Sequence, residues 1–267
     1  MGSIHTRRAF LTTAGRAALA LPAASLAAAA WARPALAAGP ARLAPPPDPL
    51  APLAQRFSDL RRHFIFDFYP WYGGPPDYLH WDYLDRHPPL DLSSNYVPRL
   101  GPYDTRARAV LEQQARWIAD SGVGAIALSW WGAGHYTDTP VHDIMDVMAA
   151  HDIKVTFCLE PYRDDRGKVF AKDVRYLVRE YGEKRGYDAL LILKNADGRE
   201  GPLFKGFACI LPEDSTDCHG QTHPIDNYTG DAQWRAQTDE VREALRGQFD
   251  HVTLLADSLH WPRTVAS

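Results

Sequence analysis

The sequence predicts an α/β fold, a parallel barrel of strand–helix units, and three observations carry that expectation. Short apolar runs alternate with longer amphipathic ones from Phe64 onward. Two of the runs end in polar or charged side chains, at Ser129-Trp130-Trp131-Gly132 and at Glu160-Pro161-Tyr162, and no glycine-rich phosphate turn accompanies them. Strands separated by helices of this length indicate βαβ units and a parallel sheet. A doubly wound sheet would also gather its site at the carboxyl ends of strands, but normally around a glycine-rich turn, so the barrel is preferred.

Residues 1–37 are set apart from the fold. Thr6-Arg7-Arg8-Ala9-Phe10-Leu11 is a twin-arginine pattern, the run from Ala17 to Ala30 carries no charge, and Ala35-Leu36-Ala37 is a small-residue cleavage site. Together they read as a twin-arginine export signal, which predicts a periplasmic or extracellular protein. The run falls short of the ~20 apolar residues that a membrane helix needs and contains Pro22, and no later stretch is a candidate span. Residues 38–55, with six prolines from Pro40 to Pro52, form an extended linker. A single domain over 56–267 is long enough to bury its own core.

Within that domain, strands are predicted at 64–71, 122–131, 153–162, 189–194, 206–211 and 251–257, each a short apolar run bounded by turn or helix signals. Helices are predicted at 104–121, 141–151, 171–181 and 231–248. In the first, Val110, Leu111, Ala115, Ile118 and Ala119 mark one apolar face. Asp104 fits its N-cap better than it fits a catalytic acid.

Charge narrows the function. Removing the four arginines of the signal from 29 basic residues leaves 25 against 33 acidic ones, near −8 for the mature chain. That balance argues against nucleic acid or another polyanion as partner. Cys158, Cys209 and Cys218 are an odd set; Cys209 and Cys218 are close enough to bridge, and the sequence does not decide whether they do. No paired Cys or His spacing suggests a metal, and no cofactor motif is present. His80, His87 and His135 fit hydrogen-bonding loop roles.

Alternation places Val155, Phe157 and Leu159 on one face of the third strand and Thr156, Cys158 and Glu160 on the other. If the apolar set packs under the helices, Glu160 points into the barrel mouth, either toward a ligand or into a salt bridge with a neighbour such as Arg163. Aromatics crowd the strand ends: Phe68, Tyr69, Trp71 and Tyr72; Tyr78, Trp81 and Tyr83; Trp130 and Trp131; Tyr162. Ring faces beside carboxylates and hydroxyls suit a sugar. Phe64, Phe66 and Phe157 read as plain core. Trp130 and Trp131 are adjacent and must diverge, so at most one of them faces a ligand. Asp67, Asp104, Glu160 and Asp257 are the carboxylates at or near predicted rims.

Six segments in order, "FYPWYGGP" (68–75), "HWDY" (80–83), "HPPLD" (87–91), "YVPRLGPYDT" (96–105), "SGVGAIALSWWGAG" (121–134) and "KVTFCLEPYRDD" (154–165), closely resemble glycoside hydrolase family 99. The resemblance implies a (β/α)8 barrel of the TIM type that cleaves internal α-mannosidic bonds. It also implies an oligosaccharide substrate contacted by Tyr69 or Tyr72, by Trp130 of "SWWG", and by Glu160 of "LEPY", which holds sugar hydroxyls and leaves the chemistry to a later glutamate pair. Trp131 and Tyr162 complete the expected substrate-binding set. The Glu-Trp-His-Glu stretch that carries the pair in the family has no counterpart here, and Cys158 stands where relatives commonly carry His. With about six of eight strands readable, the barrel is expected to be incomplete, as in a fragment, a decayed gene, or a chain whose gap a partner or second copy covers.

Overall fold

A computed structural model describes residues 60–163, 166–195, 197–210, 213–216, 220–224 and 228–258. The predicted signal, the linker and Cys218 lie outside the described residues. The strands are β1 (Ile65–Phe68), β2 (Ala125–Trp130), β3 (Lys154–Leu159), β4 (Ile192–Lys194), β5 (Glu200–Ile210), β6 (Asp214–Thr216), β7 (Thr222–Pro224) and β8 (Thr253–Ser258). The helices are α1 (Arg108–Asp120), α2 (Val141–Ala150), α3 (Arg166–Leu177), which runs on into a π-type turn at Val178–Gly182, and α4 (Asp231–Ala244).

Strands β1, β2, β3, β5 and β8 lie side by side in that order, all parallel, with helices in the crossovers. The fold is therefore α/β, of the β/α-barrel type and incomplete. One predicted barrel strand is corrected: the run 189–194 does not take a full place in the parallel array. Leu190 makes one parallel bridge to Val155, and then β4 turns back to pair antiparallel with the start of β5. β6 and β7 form a separate antiparallel pair.

Register explains the layering. Outward from the sheet point Ile126, Leu128 and Trp130 of β2, Val155, Phe157 and Leu159 of β3, and Phe204 of β5; they pack with Leu111, Ile144, Met148, Val174, Leu177 and Val241 of the helices in one buried cluster. Each such side chain contributes about 1.5–3 kcal/mol on burial, which makes this layer the main source of stability. Inward point a lower apolar layer, Ile65, Ala125, Leu191, Leu193 and Leu203, and above it increasingly polar groups. The sheet is curled. Lys205 Nζ on β5 reaches Asp67 Oδ1 and Oδ2 on β1 at 2.9 Å, although the two strands are three steps apart. A flat sheet would hold them about 14 Å apart, too far for those side chains to bridge.

Two further expectations change. Phe64 and Phe66 do not sit in the core: they are 61% and 45% exposed, because the outer face of β1 is buried only at Phe68. Asp104 is not the N-cap of α1. That position falls to Ala107, which makes no side-chain cap, while Asp104 Oδ1 accepts the Arg106 backbone N–H at 2.8 Å and its carboxylate pairs with the Arg106 guanidinium. At the opposite pole from the strands' carboxyl ends, Arg62 donates to the carbonyls of Gly124 (2.6 Å) and Asp152 (2.7 Å) and ties the starts of β1, β2 and β3 together.

Candidate functional site

The carboxyl ends of the parallel strands open into a cleft of about 410 Å³. Every strand of the array contributes an inward residue: Asp67 and Tyr69 from β1 and its end, Ala127 and Ser129 from β2, Cys158 and Glu160 from β3, Lys205 and Phe207 from β5, Asp257 from β8. Trp71 and Trp131, each just beyond a strand, form the wall. Small residues on β2 leave the room; large ones beyond the strand ends enclose it.

Glu160 Oε1 accepts from Ser129 Oγ at 2.8 Å, and the same hydroxyl accepts the Trp131 indole N–H at 3.2 Å. The chain Trp131–Ser129–Glu160 therefore fixes an indole edge and a carboxyl in one frame. Burial raises the Glu160 pKa above the usual carboxylate range, against the pull of the Ser129 and Cys158 hydrogen bonds. Burial likewise pushes the Cys158 thiol to about 12, aided by the Glu160 charge, so it is an unreactive neutral group. Tyr69 is raised by burial and then by Asp67 and Glu160. Burial lowers the Lys205 ammonium's pKa, but the hydrogen bond to Asp67 and that carboxylate's charge outweigh it, and the net shift is upward.

The rings are ordered among themselves. Tyr69 stacks on Trp71 at 4.7 Å, Trp71 stacks on His80 at 5.2 Å, and Trp131 lies 6.1 Å from Trp71. His135 Nδ1 is 3.1 Å from Thr137 Oγ1, and that hydroxyl accepts the Trp131 backbone N–H at 3.1 Å. Gly132 follows with φ +104°; a Cβ there would meet the Tyr162 ring at 2.6 Å. The left-handed turn suits glycine, and it lets the chain leave β2 between Trp131 and Tyr162.

Three of the six predicted contacts line the cleft: Tyr69, Trp131 and Glu160. The other three do not. Trp130, the motif-position choice, is fully buried on the outer face; its indole N–H donates to Asp138 Oδ1 at 2.6 Å, and it stacks on Tyr176. The sheet's alternation forces this, since Trp130 shares the face of Ile126 and Leu128. Tyr72 turns away, packing on Trp81 at 4.3 Å and Tyr103 at 5.9 Å. Tyr162 lines a narrow crevice beside the cleft, with its hydroxyl donating to Asp173 Oδ2 at 2.6 Å.

Trp71, Lys205 and Phe207 join the site without having been chosen from sequence. Trp71 was visible among the crowded aromatics. Lys205 lay one residue before the predicted start of its strand, and the spacing Leu203, Lys205, Phe207 was the signal that would have found both β5 residues. Among the described residues no cluster of three or more His, Cys, Asp or Glu could hold a metal ion, and no helix is long and apolar enough to cross a membrane.

Fold and site together define a parallel β/α barrel with a polar, aromatic-walled cleft at the strands' carboxyl ends. The family model "Glycosyl hydrolase family 99" matches residues 59–191, close to half of the chain, and that segment is similar to the family. It is 31% identical over 162 residues to a glycoprotein endo-alpha-1,2-mannosidase of Xenopus laevis, covering 51% of this chain and 35% of that protein. A glycoprotein endo-alpha-1,2-mannosidase-like protein of Danio rerio is 32% identical over 174 residues, covering 56% and 39%. The chain thus spans little more than a third of the length of the curated relatives it matches. Among solved structures, the GH99 endo-alpha-mannosidase from Bacteroides thetaiotaomicron aligns with a TM-score of 0.45 at 25% identity, over 54% of this chain and 45% of that one.

Proposed function

We propose that the cleft holds an α-mannoside-type glycan. The observation that carries this is the Trp131–Ser129–Glu160 frame facing the Tyr69–Trp71 stack: an indole and a ring stack for the C–H faces of a sugar, with a hydroxyl and a half-buried carboxyl for its O–H groups. The endo-α-mannosidase names of its relatives favour mannose over other sugars. On this reading the glutamate pair implied by the family resemblance has no counterpart in these 267 residues, and the chain retains the glycan without cleaving it. Residues 1–37 direct export by the twin-arginine route, and residues 38–55 tether the domain, so binding takes place in the periplasm or outside the cell.

Titration calorimetry with α-1,2-linked mannotetraose tests the reading on the full chain. Binding is expected in the wild type and is weakened in Glu160→Gln; absence of heat from both would remove the glycan. Release of sugar from α-1,2-mannan by the purified chain would overturn the non-cleaving part.

A further inference from the structure

The Lys205–Asp67 pair crosses the cleft floor from β5 to β1, and neither the family resemblance nor the aromatic pattern assigns it a role. Its stability contribution is small: the lysine and aspartate side chains are 31% and 43% exposed, and ion pairs open to water are worth about 0–1 kcal/mol. Nor does it fill a gap in the core, because the apolar layer of Ala125, Leu191 and Leu203 lies below it.

Its hydrogen-bonding capacity is only half used. Two of the three ammonium protons go to Asp67, one to each oxygen, so one N–H remains without a partner among the described residues. Each Asp67 oxygen keeps a second lone pair. Donor and acceptor thus lie side by side on the floor beneath Glu160 and Trp131, both open to the cleft. A vicinal diol is the complementary ligand, since each hydroxyl both gives and takes a hydrogen bond and two adjacent ones match the two edges of the pair.

We propose that Lys205 and Asp67 form a diol-reading element that grips two adjacent hydroxyls of the deepest sugar and sets which hexose the cleft accepts. This deepens the glycan reading above and rests on it. Charge favours an uncharged sugar over a uronic acid: Asp67, Glu160 and Asp257 line the cleft with one ammonium among them, that of Lys205, already paired with Asp67, and an added carboxylate would meet like charge.

The test uses the full chain, mannotetraose and calorimetry, with Lys205→Met and Asp67→Asn, both checked for folding by circular dichroism; either folded variant suffices. Each is expected to lose at least tenfold in affinity. Methyl α-mannoside and its singly deoxygenated analogues, used as competitors, give the specific readout. The wild type is expected to discriminate against loss of one particular hydroxyl, and Lys205→Met is expected to lose that discrimination. A variant that keeps affinity within twofold and keeps the wild-type hydroxyl preference overturns the diol-reading role while leaving the glycan reading intact. No binding by the wild type overturns both.

Discussion

Asp138 and Glu160 stand on opposite sides of the same sheet, and both carboxyls are drawn out of water beside a tryptophan of the Trp130-Trp131 pair. Behind the sheet, Asp138 is 6% exposed and fully engaged. Its Oδ1 takes Trp130 Nε1–H at 2.6 Å and Tyr181 O–H at 2.7 Å, and its Oδ2 takes the Gly134 N–H at 2.8 Å and Tyr176 O–H at 2.9 Å. Two donors per oxygen exhaust a carboxylate's lone pairs. In front of the sheet, Glu160 has the Ser129 hydroxyl and the Cys158 thiol, and its remaining capacity faces the cleft. Burial alone therefore does not mark a functional carboxylate; unspent hydrogen-bonding capacity at a cavity does.

The sharpest way to break this contrast is Asp138→Ala. It takes the carboxylate acceptor from Trp130, Tyr176 and Gly134 and leaves Tyr181 only the Asp138 main-chain carbonyl at 3.2 Å, and is expected to cost about 3–5 kcal/mol in chemical denaturation. A loss below 1 kcal/mol would mean that Asp138 is not the hub of the outer layer. Next come the two adjacent tryptophans. Trp131→Ala should weaken mannotetraose binding about tenfold or more with the denaturation midpoint nearly unchanged, whereas Trp130→Ala should lose about 3–5 kcal/mol of stability. The opposite pattern would exchange their roles.

Tyr162→Phe is a smaller change. It deletes the hydroxyl bound to Asp173 and should cost about 1 kcal/mol, with glycan affinity intact. The smallest effect concerns pH. The folded protein holds Glu160 above its unfolded pKa, so ionising it opposes folding. That penalty is absent below the ordinary carboxylate range and grows as pH rises through it toward the raised folded pKa. Glu160→Gln should accordingly gain thermal midpoint relative to wild type at pH 7 and little or nothing at pH 3.5; equal differences at both would show that the carboxyl is solvated.

The inward face of β3 was legible in sequence because its alternation pairs Val155, Phe157 and Leu159 against Thr156, Cys158 and Glu160. The facing of Trp130 was not, since every residue of β2 is buried and neither of its faces carries a charge. Size carried the missing information: Ala125, Ala127 and Ser129 are small, and Ile126, Leu128 and Trp130 are large. β5 was read short because Gly201 and Pro202 resemble a turn, yet they lie where the strand pairs antiparallel with β4. That misreading hid Lys205, whose partner Asp67 is visible only once the sheet is curled.

Strand β2 keeps its bulk behind and its space in front, and heredity can therefore act on the two sides separately. Enlarging Ala127 by single carbons would reshape what enters without disturbing Ile126, Leu128 or Trp130, so a lineage could drift from one sugar to another along a single strand while its scaffold stayed fixed.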